Sequence, residues 1–194
     1  VQQERVSNHK ALKSGTIKTL VTYSLINNEL KISYNSTSTV PQVFNLSNHS
    51  YFILDQAQDV SDYLLEINAF HRIQTDHQLL PTGKLLSLKN DAYHFSPPKK
   101  INQIELDTPF VLNHTSKLGQ RAASVYSEKS KLRMDVYTDQ DILVCFTPQE
   151  FKGICFETQG YPDAPSHENF KTIVIDKDRP YQQETRYKFE KTAE

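Results

Sequence analysis

The chain has 194 residues, which is long enough for one domain with a substantial buried core. Its 22 Lys and Arg side chains nearly balance 23 Asp and Glu, which gives a formal net charge of −1. So balanced a charge provides no overall field that would favour nucleic acid or an anionic membrane as a partner. No apolar run is long enough to span a bilayer, and the first residues lack the apolar segment of a signal peptide. We therefore expect a soluble, cytoplasmic protein.

Short strands are predicted along the whole chain. Residues 16–24 and 29–36 are rich in Leu, Ile, Val, Tyr and Thr. Asn27 and Asn28 between them suit a tight hairpin turn, because Asn tolerates positive φ. Further strands are predicted at residues 43–46, 63–67, 132–137, 142–146, 153–156, 172–175 and 185–189.

Turn-forming residues, rather than helices, separate these strands. Leu-Pro-Thr-Gly at 80–83, Ser-Pro-Pro at 96–98 and Tyr-Pro-Asp at 161–163 predict turns. No window of a dozen residues carries the apolar stripe of an amphipathic helix, and no linker or repeat divides the chain. The sequence therefore predicts one all-β domain over residues 1–194, an antiparallel sandwich or barrel.

The cysteines and histidines give no sign of a metal site. Cys145 and Cys155 lie in apolar stretches and are too few for a disulfide framework, so we interpret them as buried thiols. The seven histidines are scattered, and no pair has the spacing of a zinc site. Gly-rich phosphate loops and other cofactor motifs are also absent from the sequence. We therefore expect neither a metal nor a cofactor.

Two segments place a titratable group in a setting that would suit catalysis. His49 stands between small polar residues and is followed by Tyr51 and Phe52, which would either wall a cleft or pack in the core. Glu157 lies in an otherwise apolar strand, on the same face as Cys155. Burial would raise its pKa above the ordinary value of about 4.3, towards that of a general base. Each also has a structural interpretation: His49 as a hydrogen-bonded imidazole, and Glu157 as an exposed carboxylate on a sheet face.

The sequence around these residues resembles that of the aldose 1-epimerase (mutarotase) family. Asn-Leu-Ser-Asn-His-Ser-Tyr-Phe at 45–52 resembles the motif whose histidine protonates the sugar ring oxygen. Cys-Phe-Glu-Thr-Gln-Gly-Tyr-Pro-Asp-Ala-Pro at 155–165 resembles the segment that holds the catalytic glutamate. Leu-Pro-Thr-Gly at 80–83, Glu-Leu-Asp-Thr-Pro-Phe at 105–110 and Val-Tyr-Thr-Asp-Gln at 136–140 resemble further family segments and occur in the same order.

This resemblance implies a β-supersandwich of the galactose mutarotase type and a hexose, such as galactose or glucose, as substrate. The reaction would interconvert α and β anomers by opening and closing the sugar ring. The implied roles are general acid for His49, general base for Glu157, and hydrogen bonding to sugar hydroxyls for Asp107 and Gln140. Family members are longer, so we expect the chain to match their C-terminal half or somewhat more and to be incomplete at its N-terminus. A sheet edge exposed in this way would favour a homodimer.

Two alternatives keep this fold but change the function. One is a carbohydrate-binding or regulatory module without catalysis. The other is a relative that acts on hexose 6-phosphates, which would need a basic cluster at the cleft. Arg72, Arg121 and Arg133 are the candidates for that cluster.

Overall fold

The computed structural model describes residues 2–9, 15–56, 59–113, 120–150 and 152–192. Strands and one short 3₁₀ helix, Ala164–Ser166, make up the regular structure of these residues. The strands, in chain order, are β1 (Gln2–His9), β2 (Gly15–Ile26), β3 (Glu29–Ser38), β4 (Gln42–Val43), β5 (Tyr51–Phe52), β6 (Leu64–Ile67), β7 (Ala69–Thr75), β8 (Pro81–Ser87), β9 (Lys99–Lys100), β10 (Asp107–Leu112), β11 (Arg121–Ser127), β12 (Leu132–Thr138), β13 (Ile142–Phe146), β14 (Ile154–Gln159), β15 (Val174–Ile175) and β16 (Tyr181–Lys191).

The strands form two large antiparallel sheets and one small one. The eight-stranded sheet has the order β1-β2-β3-β16-β12-β11-β6-β9, and the six-stranded sheet has the order β5-β14-β13-β10-β7-β8. Strands β4 and β15 pair with each other. This arrangement confirms the predicted all-β class. Within the described ranges, no helix has the length and apolar character needed to cross a membrane.

The main core lies between the two large sheets, where every second side chain of a strand points inward. The eight-stranded sheet contributes residues such as Ile32, Val136 and Tyr187, each at most 1% exposed. The six-stranded sheet contributes Phe110 and Phe156, which are fully buried. Removal of this apolar surface from water stabilises the packing of one sheet on the other, at about 25 cal/mol per Å².

The first predicted hairpin is confirmed. Strands β2 and β3 pair in register from Ile17 with Ser38 to Ile26 with Glu29. Asn27, at the turn, has φ 55°, the left-handed conformation that Asn adopts more readily than most residues.

Three local predictions need correction. The predicted strand at 172–175 is limited to β15, which begins at Val174. The predicted strand at 43–46 is limited to β4, which ends at Val43, and the chain then runs irregularly to β5. The predicted turn at 80–83 lies earlier, because the side chain of Asp76 accepts hydrogen bonds from the backbone N–H groups of Gln78 and Leu80. Pro81 is already the first residue of β8.

Candidate active site

Strand β14 carries Glu157 on the face that points away from the main core. Phe156 and Thr158 on either side of it are fully buried and face the eight-stranded sheet. The Tyr187 hydroxyl on β16 donates to the backbone carbonyl of Phe156 at 3.1 Å. The Gln183 side-chain amide donates to the carbonyl of Thr158 at 2.7 Å. These buried hydrogen bonds hold the strand from behind, so its backbone position is well defined.

His49 lies in the irregular segment between β4 and β5, and this segment is bonded directly to β14. The side chain of Asn45 donates to the carbonyl of Gly160 at 3.1 Å and accepts from its N–H at 2.9 Å. The Ser47 hydroxyl donates to the carbonyl of Thr158 at 3.1 Å. A loop without regular structure thus takes a fixed position beside the strand that carries the carboxylate.

The structure brings His49 and Glu157 together. Nε2 of His49 lies 3.2 Å from Oε1 of Glu157, which is hydrogen-bond distance. The His49 side chain is 53% exposed, whereas that of Glu157 is 19% exposed. Burial raises the pKa of the Glu157 carboxyl, the charge of Asp107 raises it further, and His49 opposes both effects. The pair therefore places an imidazole beside a carboxylate whose basicity is increased.

Cys155 is the third member of this cluster. Its Sγ lies 3.6 Å from Nδ1 of His49. Burial, with a smaller contribution from the charge of Glu157, raises the pKa of the thiol to about 12, so it stays protonated at neutral pH. The predicted burial of both cysteines is confirmed, and both are unbridged thiols.

The same three side chains are of types that can bind a metal ion. One ligand atom from each of His49, Cys155 and Glu157 falls within 4.8 Å of the others. However, the sulfur is near Nδ1 of the imidazole, whereas the carboxylate is near Nε2. A zinc ion would need the sulfur, the carboxylate oxygen and one ring nitrogen around the same point, at about 2.0–2.3 Å from each ligand atom. Because the sulfur and the carboxylate face different ring nitrogens, the cluster is not arranged as a coordination site.

Asp107 lies on the same side of the sheet, at the start of β10. Its backbone pairs with Phe146, whose ring centroid is 6.0 Å from that of His49. The exposed Asp107 side chain lines a cavity of about 450 Å³, together with residues such as Arg72 and Glu150. This volume falls in the usual range for small-molecule sites, about 300–1,000 Å³. The structure thus gathers three of the four predicted site residues around one end of the six-stranded sheet.

Gln140 is not brought to this group. Its side-chain amide donates to Asp139 at 2.8 Å and to the carbonyl of Gln182 at 3.4 Å. It lines a separate cavity of about 240 Å³ with residues that include Tyr161 and Lys171. Its role in sugar binding stays a prediction.

The sequence left open whether Tyr51 and Phe52 wall a cleft or pack in the core, and the structure gives a different answer for each. The Tyr51 ring lies 5.0 Å from the His49 ring and is partly exposed at the site. Phe52 instead packs against Tyr187, with ring centroids 4.8 Å apart, and joins the main core. The strand geometry explains this difference, because successive residues of β5 point to opposite faces.

The three candidate arginines for a phosphate site do not converge. Arg72 lies in the six-stranded sheet, where its Nε is bonded to Asp91 at 3.1 Å. Arg121 and Arg133 lie in the eight-stranded sheet, and both pair with the buried carboxylate of Asp135. Of these three arginines only Arg72 lines the cavity beside Asp107, so they form no basic cluster there and do not favour a hexose-6-phosphate epimerase.

Comparison with known proteins identifies the family. The model of the aldose 1-epimerase family matches residues 4–188. The chain belongs to this family. It is 24% identical over 197 residues to the maltose epimerase of Levilactobacillus brevis, a match that covers 90% of the chain and 57% of that enzyme. It is 28% identical over 199 residues to human galactose mutarotase, and here the match covers 90% of the chain and 58% of the relative.

A solved structure gives the same result for the fold. The aldose epimerase homologue from C. elegans superposes with a TM-score of 0.90 at 22% identity, over 99% of this chain and 66% of that one. At this identity the likeness shows the fold alone, and it confirms the predicted β-supersandwich. The chain spans little more than half the length of the curated relatives that it matches, 57% and 58% in the two cases above.

Sequence reasoning did not find the contact between Cys155 and His49. The two residues are 106 positions apart, and their segments come together only through the bonds between the His49 loop and β14. The alternation in β14 placed Cys155 on the correct face. It gave no information about which loop would lie above that face.

Proposed function

We propose that this chain is an aldose 1-epimerase that interconverts the α and β anomers of a hexose such as galactose or glucose. The observation that supports this proposal is the 3.2 Å separation of His49 Nε2 and Glu157 Oε1 in a chain of this family. The two relatives described above are named for maltose and for galactose, which is consistent with a sugar substrate.

In the proposed reaction, Glu157 removes the proton from the hydroxyl at C1 while His49 protonates the ring oxygen. The C1–O5 bond breaks, and the electrons of the C1 hydroxyl form the aldehyde. Rotation about the C1–C2 bond presents the other face of the carbonyl. The two residues then exchange roles as the ring closes, so the enzyme returns to its starting state without a cofactor.

The residue types suit this exchange of protons. A carboxylate with a raised pKa is a better base than an ordinary Glu, and an imidazole can donate or accept a proton near neutral pH. Asp107 would accept hydrogen bonds from sugar hydroxyls and so place C1 near Glu157. Correct placement matters because proximity and orientation contribute much of the rate enhancement.

Polarimetry of freshly dissolved α-galactose or α-glucose tests the proposal. Glu157→Gln removes the base at nearly constant shape, and we expect the rate of mutarotation to fall by about 10²- to 10⁴-fold. Glu190→Gln is the matched control, because Glu190 lies on β16 of the opposite sheet, where it pairs with Lys188 and Arg133. This control should keep the wild-type rate.

Two outcomes would contradict the proposed catalysis. An unchanged rate in a folded Glu157→Gln variant would refute the assigned base. Calorimetric binding of sugar to the wild-type chain, with no rate above that of buffer, would favour the non-catalytic binding module instead. Thermal unfolding of each variant separates loss of chemistry from loss of fold.

Three further features form part of the proposal. We propose that residues 1–194 act as a single domain, that the protein works in the cytoplasm, and that it forms a homodimer. Size-exclusion chromatography with light scattering tests the last of these, and a monomer at micromolar concentration would refute it.

A further inference from the structure

Cys155 is a buried thiol beside the reacting pair, and the proposed chemistry does not use it. The residue is fully buried, and its Sγ faces Nδ1 of His49 at 3.6 Å. On the other side of the ring, Nε2 faces Glu157 at 3.2 Å. We infer that Cys155 is a positioning residue whose S–H donates to Nδ1 and thereby keeps His49 in the tautomer that carries its proton on Nε2.

The hydrogen-bonding capacity of each group leads to this assignment. A neutral imidazole has one N–H donor and one acceptor nitrogen. The thiol keeps its proton at neutral pH and can therefore donate to Nδ1, and we assign Nδ1 as the acceptor because the carboxylate at Nε2 favours a proton on that nitrogen. The ring proton is therefore on Nε2, where it faces the Glu157 carboxylate. The opposite tautomer would place the lone pair of Nε2 against the carboxylate oxygen, which is unfavourable.

The packing around His49 supports a fixed ring. Tyr51 lies against the imidazole with centroids 5.0 Å apart, and Phe146 packs edge-on at 6.0 Å. These rings restrict rotation of the imidazole about its Cβ–Cγ bond, so Nδ1 and Nε2 keep their separate partners. Two further carboxylates act on this cluster: the charge of Asp107 acts on Glu157, and that of Glu150 acts on Tyr51.

The catalytic consequence rests on the proposed function. An acid that protonates the ring oxygen must carry its proton on the nitrogen that faces the sugar, and Nε2 is the nitrogen beside Glu157, the proposed base. An imidazole with its proton on Nδ1 would occupy the same position but would have no proton on Nε2 to donate to the sugar. The thiol thus sets the fraction of molecules that are ready to react.

Nuclear magnetic resonance of protein labelled with ¹⁵N at histidine tests the tautomer directly. Long-range ¹H–¹⁵N correlations distinguish Nε2–H from Nδ1–H, and the spectrum of His49→Gln identifies the signals of this ring. We expect Nε2–H in the wild-type protein and a shift towards Nδ1–H in Cys155→Val, which keeps the size of the side chain but removes the donor. Cys155→Ser, which retains a donor, should restore part of the wild-type signal.

Polarimetry should follow the spectra. We expect kcat of Cys155→Val to fall by about three- to tenfold, the effect of one neutral hydrogen bond, with KM nearly unchanged. Cys145→Val is the matched control, because Cys145 is equally buried but faces the main core from the neighbouring strand β13. It should alter stability without altering the His49 signals.

Two results would overturn the inference. One is an Nδ1–H ring in the wild-type protein, and the other is a His49 tautomer that stays the same in Cys155→Val. If that variant does not fold, the wild-type spectrum and Cys155→Ser decide the question. Because the spectra are recorded without sugar, they remain informative even if polarimetry shows no turnover and the proposed function fails.

Discussion

At the scale of single residues, Glu157 is in conflict with its surroundings. Its carboxyl group is largely buried, and burial disfavours the charged form that a base requires. The interaction with His49 favours the charged form, but it offsets the effect of burial only in part, since the pKa of Glu157 remains raised. The proposed base thus gains reactivity from an environment that reduces the stability of the folded chain.

This conflict predicts a pH-dependent gain in stability for Glu157→Gln. Because the folded pKa is raised, the protonated carboxyl supports the fold at low pH, and this support is lost as the pH rises through the raised value. The neutral amide avoids that loss, so we expect a higher Tm than wild type at pH 7 and a smaller difference at pH 4. Thermal unfolding at a series of pH values measures it. A Tm at pH 7 that is below the wild-type value would contradict the prediction.

At the scale of elements, the site depends on hydrogen bonds between the loop that carries His49 and the strand that carries Glu157. Asn45 bonds to both backbone groups of Gly160, and Ser47 bonds to Thr158 on β14. Gly160 also needs its lack of a side chain, because a Cβ there would lie 2.8 Å from the Cγ2 of Ile173. The positions of His49 and Glu157, the proposed acid and base, therefore depend on the same short stretch of backbone.

Removal of the Asn45 hydrogen bonds should lower both the stability of the fold and the rate of the proposed reaction. Asn45→Ala leaves the N–H and the carbonyl of Gly160 without these partners, which should cost about 1–3 kcal/mol of unfolding free energy. We also expect a lower kcat, because the His49 loop loses its fixed position over Glu157. Urea denaturation and polarimetry measure the two effects. Asn35→Ala, an exposed position on β3, is the control and should change neither.

The elements were predictable where local pattern decides the structure. Strand β13 coincides with the predicted range 142–146, and the Asn27 turn follows from backbone preference. Strand β10 was not predicted, and it contains Pro109, which cannot donate a ladder hydrogen bond. Pro109 pairs with Val144 of β13, whereas the pairing with β7 begins at Phe110, so the proline lies where β10 has one neighbour.

The site was predictable only in part, for a related reason. Motif resemblance pointed to His49, Glu157 and Asp107, and the sheet brings them together. Gln140 also belongs to a motif that occurs in the order of the family. Its side chain, however, is hydrogen-bonded to Asp139 and lines another cavity. Contacts between segments that are distant along the chain depend on tertiary packing, which alternation within a strand does not specify.

At the scale of the whole molecule, the two sheets are held by a continuous apolar layer. Two of the fully buried rings, Phe110 and Phe156, come from the same strands that place Asp107 and Glu157 on the opposite face. The core therefore supports the site through the backs of its own strands. A change in the layer would reach the site through the strand positions.

Two phenylalanine variants test how much this apolar layer contributes to the free energy of unfolding. Phe110→Ala, at a fully buried position, should lower the unfolding free energy by about 3–5 kcal/mol. Phe70→Ala, on the neighbouring strand β7 but 67% exposed, should lower it by much less. Chemical denaturation of both variants gives the comparison, and equal losses would show that the layer is not the main source of stability.

The position of Tyr51 has a practical consequence. The ring stands 5.0 Å from His49 at the rim of the site, and the chain contains no tryptophan. Tyr51→Trp would therefore introduce a single indole fluorophore beside the imidazole. A charged imidazole quenches indole emission more strongly than a neutral one, and a bound sugar would exclude water from the ring. Emission from this one position would thus report sugar occupancy and the protonation of His49 in real time, without a label and without following the reaction.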